Sequence, residues 1–253
     1  MQFVVDRVIR AGWAIVPALL VSTVAGSWST SFAQDATPPA GVTVGVAEHD
    51  PVYIACDENV KAADGSDATP IPAVSPATVY TLDATQSRAR YIAQEELAGT
   101  GAATAIGETD QIIGSFYFNA EGMPLACSRV DVDLRTLTSD KSKRDNWLRG
   151  ETLQTDTYPI ATFVVTSVAG LEGPLVDGQE TTIYLTGNLT FHGVTRQATW
   201  EGTVTLSGDS LTGNASTTFE LDDFDITKPI VGPVLSIDDT IELQIDIVAT
   251  KAA

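Results

Sequence analysis

From Val79 to the end of the chain, apolar and polar residues alternate with a period of two, the mark of strands with one buried face. In the stretch 182–192, Ile183, Leu185, Leu189 and Phe191 share one face, and Thr182, Thr186, Asn188, Thr190 and His192 share the other. Residues 241–249 repeat the arrangement, with Ile241, Leu243, Ile245 and Ile247 opposite Glu242, Gln244 and Asp246. Val130, Val132 and Leu134 alternate with Asp131, Asp133 and Arg135, and Trp200, Val204 and Leu206 with Glu201, Thr203 and Thr205. Turn residues punctuate these runs at Gly122-Met-Pro, Glu172-Gly-Pro, Ser207-Gly-Asp and Gly232-Pro. About eight strands therefore fit in the last 175 or so residues, an all-β domain whose hairpin-linked strands close into a barrel or pack as a sandwich.

One stretch of this domain breaks the alternation. Residues 140–150, DKSKRDNWLRG, contain no β-branched side chain; Ser139 or Asp140 can cap a helix start and Gly150 can end it. The pattern predicts a short helix whose Trp147 and Leu148 face the strands while Lys141, Lys143 and Arg144 stay in water.

Before Val79 the pattern is different again. Arg7 and Arg10 precede an apolar run, Ala11 to Val24, that is too short to cross a bilayer needing roughly 20 apolar residues. Ser31-Phe32-Ala33 places small residues where a signal peptidase cuts, so residues 1–33 read as a signal peptide and Gln34 as the mature start. Residues 34–78 hold six of the twelve prolines among Ala, Asp, Gly and Thr, and read as a mostly disordered linker. Only Pro51 to Ala55, just before Cys56, is apolar enough to dock on something.

Charge narrows the choice of partner. Without residues 1–33 there remain 12 basic and 32 acidic residues, a net charge of −20. Such a surface repels phosphate backbones and anionic headgroups, which excludes nucleic acid and argues against stable membrane insertion once the signal is cut. The expected partner is neutral, cationic or mostly apolar. The location is extracytoplasmic, periplasmic or secreted, and the sequence sets no oligomeric state.

At this point four segments, in order, resemble the YceI family of polyisoprenoid-binding barrels. They are Tyr80-Thr-Leu-Asp83 with Ser87; Lys143-Arg-Asp145 with Leu148-Arg149, Tyr158-Pro159 and Phe163; Gly187 to Thr195; and Phe219-Glu-Leu with Phe224, Ile226 and the strand Ile241–Ile247. The resemblance covers about Val79 to Lys251. It implies an eight-stranded antiparallel, lipocalin-like closed barrel with a short helix between strands. It also implies a lumen that holds a long isoprenoid or acyl lipid as cargo, with no other cofactor and no chemistry on it. The lumen would be lined by Phe116, Phe118, Val130, Val132, Leu134, Trp147, Phe163, Ile183, Leu185, Leu189, Phe191, Ile241, Leu243 and Ile245, with Arg144, Asp145 and His192 at its rim. Two departures stand out. Trp147 occupies a place where the family commonly has histidine, and the Gly/Ala/Thr-rich stretch Glu95 to Asp110 suggests a looser mouth.

The residues alone leave a rival open, an adhesion or interaction domain whose apolar stripes form a packed core with no ligand. Enzymatic chemistry has little to stand on. The two histidines, His49 and His192, lie in the linker and at a strand end, and no His or Cys has metal-ligand spacing. His192 reads either as a turn residue bonding a carbonyl or as a rim contact. Arg144 and Asp145 read either as a mutual clamp or as headgroup contacts. Cys127 falls in phase with Arg129 and Asp131, on the outward face, where a disulfide to Cys56 would pin the linker to the wall and stabilise the fold by up to roughly 4 kcal/mol.

Overall fold

The structure is a computed structural model that describes residues 77–230 and 232–252, together with the backbone pairing of three short segments before them. Those segments are β1 (Val52–Tyr53), β2 (Cys56–Asp57) and β3 (Ile71–Pro72). The signal peptide expected at 1–33 lies outside the described residues. So does most of the expected linker, although within it β2 pairs with β3, and β1 pairs antiparallel with Ser167 and Val168.

The alternating runs become strands because each has one face to bury. They are β4 (Thr78–Leu82), β5 (Arg88–Leu97), β6 (Gly101–Thr109), β7 (Ile112–Phe118), β8 (Arg129–Asp133), β9 (Thr138–Ser139), β10 (Ile160–Ala169), β11 (Glu180–Phe191), β12 (Val194–Ser207), β13 (Ser210–Glu220) and β14 (Val234–Lys251). Around the ring the order is β13, β12, β11, β10, β8, β7, β4 and β14, and β14 pairs back onto β13. An eight-stranded antiparallel barrel is thereby closed, with no free edge in the ring.

The 18-residue β14 is longer than its neighbour β4 and pairs with it only over Ala249–Lys251. The rest of that edge is taken by β5, from Val234 opposite Leu97 to Asp246 opposite Arg88. β4 and β5 are thus two halves of one bent strand. The corner between them explains the first motif. Asp83 accepts from the Thr85 amide at 2.9 Å and from Gln86 Nε2 at 2.6 Å, and fully buried Ser87 donates to the Asp83 carbonyl at 2.8 Å and accepts from Val248 N at 3.0 Å.

The stretch expected to loosen the mouth is a regular hairpin instead. β5 and β6 pair without interruption from Ala89 opposite Thr109 to Leu97 opposite Gly101. Small residues here do not weaken the strand, because Gly107 gives the Tyr91 ring a bed: a Cβ added at Gly107 would lie 2.2 Å from that ring. Beyond β6, β9 adds two residues of pairing, and the wall then passes to α1 (Ser142–Trp147) and a π-helical turn, Leu148–Thr152.

The motif around His192 is a turn. His192 and Gly193 both have positive φ, 50° and 77°, between the paired ends Phe191 and Val194, so they form the two-residue loop that matches strand twist. His192 Nδ1 lies 3.0 Å from the Phe224 carbonyl, which only accepts, so Nδ1 carries the proton. The Tyr158 ring stacks edge-on against it at 4.8 Å. This turn is pinned to the 3-10 turn Leu221–Phe224, which carries Phe224 and Ile226 into the core.

Cys127 is not on an outward face. It is fully buried, with φ 72°, just before β8 begins. The left-handed residue takes the chain out of the alternation that would have placed it in phase with Arg129. Cys127 is disulfide-bonded, and the expected partner, Cys56, has its side chain outside the described residues.

Candidate ligand cavity

The barrel interior contains a cavity of about 540 Å3, within the range of roughly 300–1,000 Å3 typical of small-molecule sites. All fourteen residues expected on the lumen, from Phe116 and Phe118 through Ile241, Leu243 and Ile245, lie on its wall. Inward positions also hold small residues, Ala89, Ala93, Ala105, Ala161 and Ala215, which leave the centre of the ring unfilled. Among the described residues on the wall there is neither histidine nor cysteine. No group of three or more His, Cys, Asp or Glu side chains able to hold a metal occurs among the described residues.

The expected rim divides. Arg144 lies on the cavity wall, and it is not left in water: its side chain is about one-quarter exposed and turns inward to Glu95 of β5, Nη2 to Oε1 at 2.8 Å. Its other nitrogen, Nη1, bonds Asp140 at 2.5 Å. Asp145 and His192 are not on the wall. Asp145 is buried and accepts from both the amide and the hydroxyl of Ser139, at 2.9 and 2.6 Å, so it locks the start of α1 rather than pairing with Arg144. His192 commits Nδ1 to its turn, and its Nε2 is buried without a hydrogen-bond partner, off the cavity wall. Arg149 completes the fastening by donating to the Leu137 carbonyl at 2.6 Å. Trp147 lines the cavity while 43% exposed, so it forms part of the lip.

The polar wall residues that the sequence reading did not place on the lumen include Tyr91, Glu95, Thr152 and Trp200. Tyr91 Oη, Thr152 Oγ1 and Trp200 Nε1 are buried and make no hydrogen bond. Burial pushes the Tyr91 phenol up to about 12, with Arg144 opposing the shift and Asp145, Glu95 and Asp140 adding to it. A usable signal existed for Glu95. Tyr91, Ala93, Glu95 and Leu97 share one phase of β5, and a carboxylate on the inward phase demands a buried partner.

A family model described as the YceI-like domain matches residues 80–249, well over half of the chain. The chain belongs to the YceI-like family. A relative from Pseudomonas putida, a UPF0312 protein, is 36% identical over 40% of this chain and 54% of its own length, so the match spans about half of that relative. A second UPF0312 protein, from Shewanella denitrificans, is 28% identical over 64% of this chain and 84% of its own. Among solved structures, a polyisoprenoid binding domain from Saccharophagus degradans implicated in plant cell wall breakdown superposes with TM-score 0.55 at 18% identity, covering 68% of this chain and 98% of that one. Burkholderia cenocepacia BcnA superposes with TM-score 0.52 at 19% identity, covering 67% and 99%. At these identities the two structures establish the fold, a YceI barrel.

Proposed function

We propose that this protein is an exported carrier or reservoir that holds a long-chain isoprenoid, quinone- or polyprenol-like, or a related acyl lipid inside its barrel, and that it performs no chemistry on that cargo. The observation that carries the reading is the 540 Å3 cavity with an almost wholly apolar wall. A filled interior, as an adhesion domain would have, sits poorly with that volume. The similarity to a polyisoprenoid binding domain supports the choice of cargo. Export is supported by the signal-like first 33 residues and by the disulfide at Cys127, a bond that persists in oxidising compartments. Apolar burial at roughly 25 cal/mol per Å2 supplies retention without extensive headgroup recognition.

Native mass spectrometry of detergent-free protein, followed by organic extraction, tests this. The expected result is a discrete added mass that extracts as an isoprenoid or acyl lipid. A bare protein mass, with no uptake when quinones or fatty acids are offered, would leave the fold standing and remove the carrier function.

A further inference from the structure

We propose that Tyr91, beside the Arg144–Glu95 ion pair, selects the polar end of the cargo by donating a hydrogen bond to a neutral, carbonyl-bearing head. This deepens the carrier reading and rests on it. In an otherwise apolar cavity, the wall presents three buried groups able to donate and lacking partners: Tyr91 Oη, Thr152 Oγ1 and Trp200 Nε1. Thr152 and Trp200 are themselves 5% and 9% exposed, and an indole N–H can only donate. Buried donors are rarely left unmade in folded proteins, so three of them lining one cavity point to a ligand that accepts. Hydrocarbon alone satisfies none of them.

The surroundings of Tyr91 determine what kind of acceptor fits. Its ring is fixed over Gly107, which has no room for a side chain of its own. The charges acting on its hydroxyl are Arg144 on one side and Glu95, Asp140 and Asp145 on the other. Arg144 has Nη2 committed to Glu95 and Nη1 to Asp140 and Ser139, so an incoming anion finds no uncommitted guanidinium. Lys141 is paired with Asp140, and Lys143 stands exposed on the outer lip, where solvent screens it. A phosphate head would therefore meet carboxylates without a free buried cation. A quinone, amide or ester carbonyl needs only the donor, and because burial keeps the phenol protonated to about 12, that donor is present at every ordinary pH.

The test is a competition on the purified full chain with three probes that share a geranylgeranyl tail. One ends in a benzoquinone, one in a methyl group and one in a monophosphate, and displacement of a bound fluorescent polyene is the readout. The wild type should favour the quinone over the hydrocarbon by roughly tenfold, the effect of one hydrogen bond to a donor otherwise left buried and unmade. Tyr91→Phe should bring that ratio to within about twofold, and its continued binding of the hydrocarbon probe shows that the variant is folded. An unchanged ratio in the variant, or phosphate binding as tight as quinone in the wild type, overturns the role of Tyr91 and leaves the carrier intact. Failure of all three probes to bind removes both. If Tyr91→Phe does not fold, infrared spectra of carbon-13-labelled quinone on the wild type decide: a lowered carbonyl stretch supports the hydrogen bond, and an unshifted one overturns it.

Discussion

Where Phe191, Phe219 and Phe224 meet, three rings lie edge to face with centroids 5.2–5.6 Å apart and Phe224 is wholly buried. Phe191 and Phe219 close one part of the cavity wall, and farther along it Leu185, Leu243 and Tyr91 face open space. Both regions come from period-two strands that send apolar side chains inward. They differ in what else reaches the interior. At the aromatic end, the 3-10 turn after β13 breaks the alternation and carries Phe224 and Ile226 into the core. Over the cavity, inward alanines shorten the reach of the wall. Alternation thus determines which way a side chain points, and the volume left over depends on the non-alternating insertions and the small residues.

The sharpest way to break the comparison is to remove the plug. Phe224→Ala should cost about 3–5 kcal/mol, since the ring is fully buried and touches Phe191 and Phe219. Urea denaturation measures it, and a loss under about 1 kcal/mol would mean that the aromatic end is not a packed core.

The same contrast shows what was legible in the chain. Inward faces were readable, because Ile183, Leu185, Ile241 and Leu243 obey a local rule that the tertiary structure keeps. The short helix at 140–150 was readable from the missing β-branched residues, but its ends were not: Lys141, with no side-chain cap bond, stands at its start, and the chain runs on through Gly150 in a π-helical turn. Of the two readings of His192, the turn residue bonding a carbonyl holds and the rim contact does not. The placement of Asp145 and Cys127 was not legible: Asp145 turns back to Ser139 from within its helix, and Cys127 sits at positive φ, so in-phase counting along a strand misplaces it. Arg144 was expected in water because helix periodicity does not reveal that Glu95, distant in sequence, waits on the inward phase of β5.

A smaller effect is expected at the helix start, beside the cavity. Asp145→Ala leaves the Ser139 amide and hydroxyl without their buried acceptor and should cost about 1–3 kcal/mol. Hydrogen exchange should quicken at Ser139 and through α1 first, with the aromatic end protected. Uniform quickening throughout the barrel would show instead that α1 and the ring unfold as one unit.

The cavity side carries a titration that the aromatic end lacks. Because burial holds the Tyr91 phenol at about 12 while an unfolded tyrosine titrates near 10, the folded state keeps a proton that the unfolded state releases. The stability linked to this group is complete below pH 10 and falls as pH rises towards about 12. Denaturation midpoints at pH 9 and 11 should therefore differ more in the wild type than in Tyr91→Phe. Equal slopes in the two proteins would place the phenol in water.

The smallest stability effect should accompany the most complete loss of binding. Ala161 lies on the cavity wall, whereas Ala198, 1% exposed, belongs to the core cluster and is not part of that wall. Phenylalanine at 161 has volume to grow into, so the melting temperature should move by only a few degrees while lipid uptake is lost. Phenylalanine at 198 has none, and overpacking there should cost about 1–3 kcal/mol or more. Thermal scans of both variants, paired with lipid uptake by mass spectrometry, compare hollow and filled space with one substitution. If Ala161→Phe destabilises as much as Ala198→Phe, the lumen is as tightly packed as the aromatic end. If it is stable and still loads lipid, the cargo lies along another part of the wall, nearer Tyr91 and Trp147.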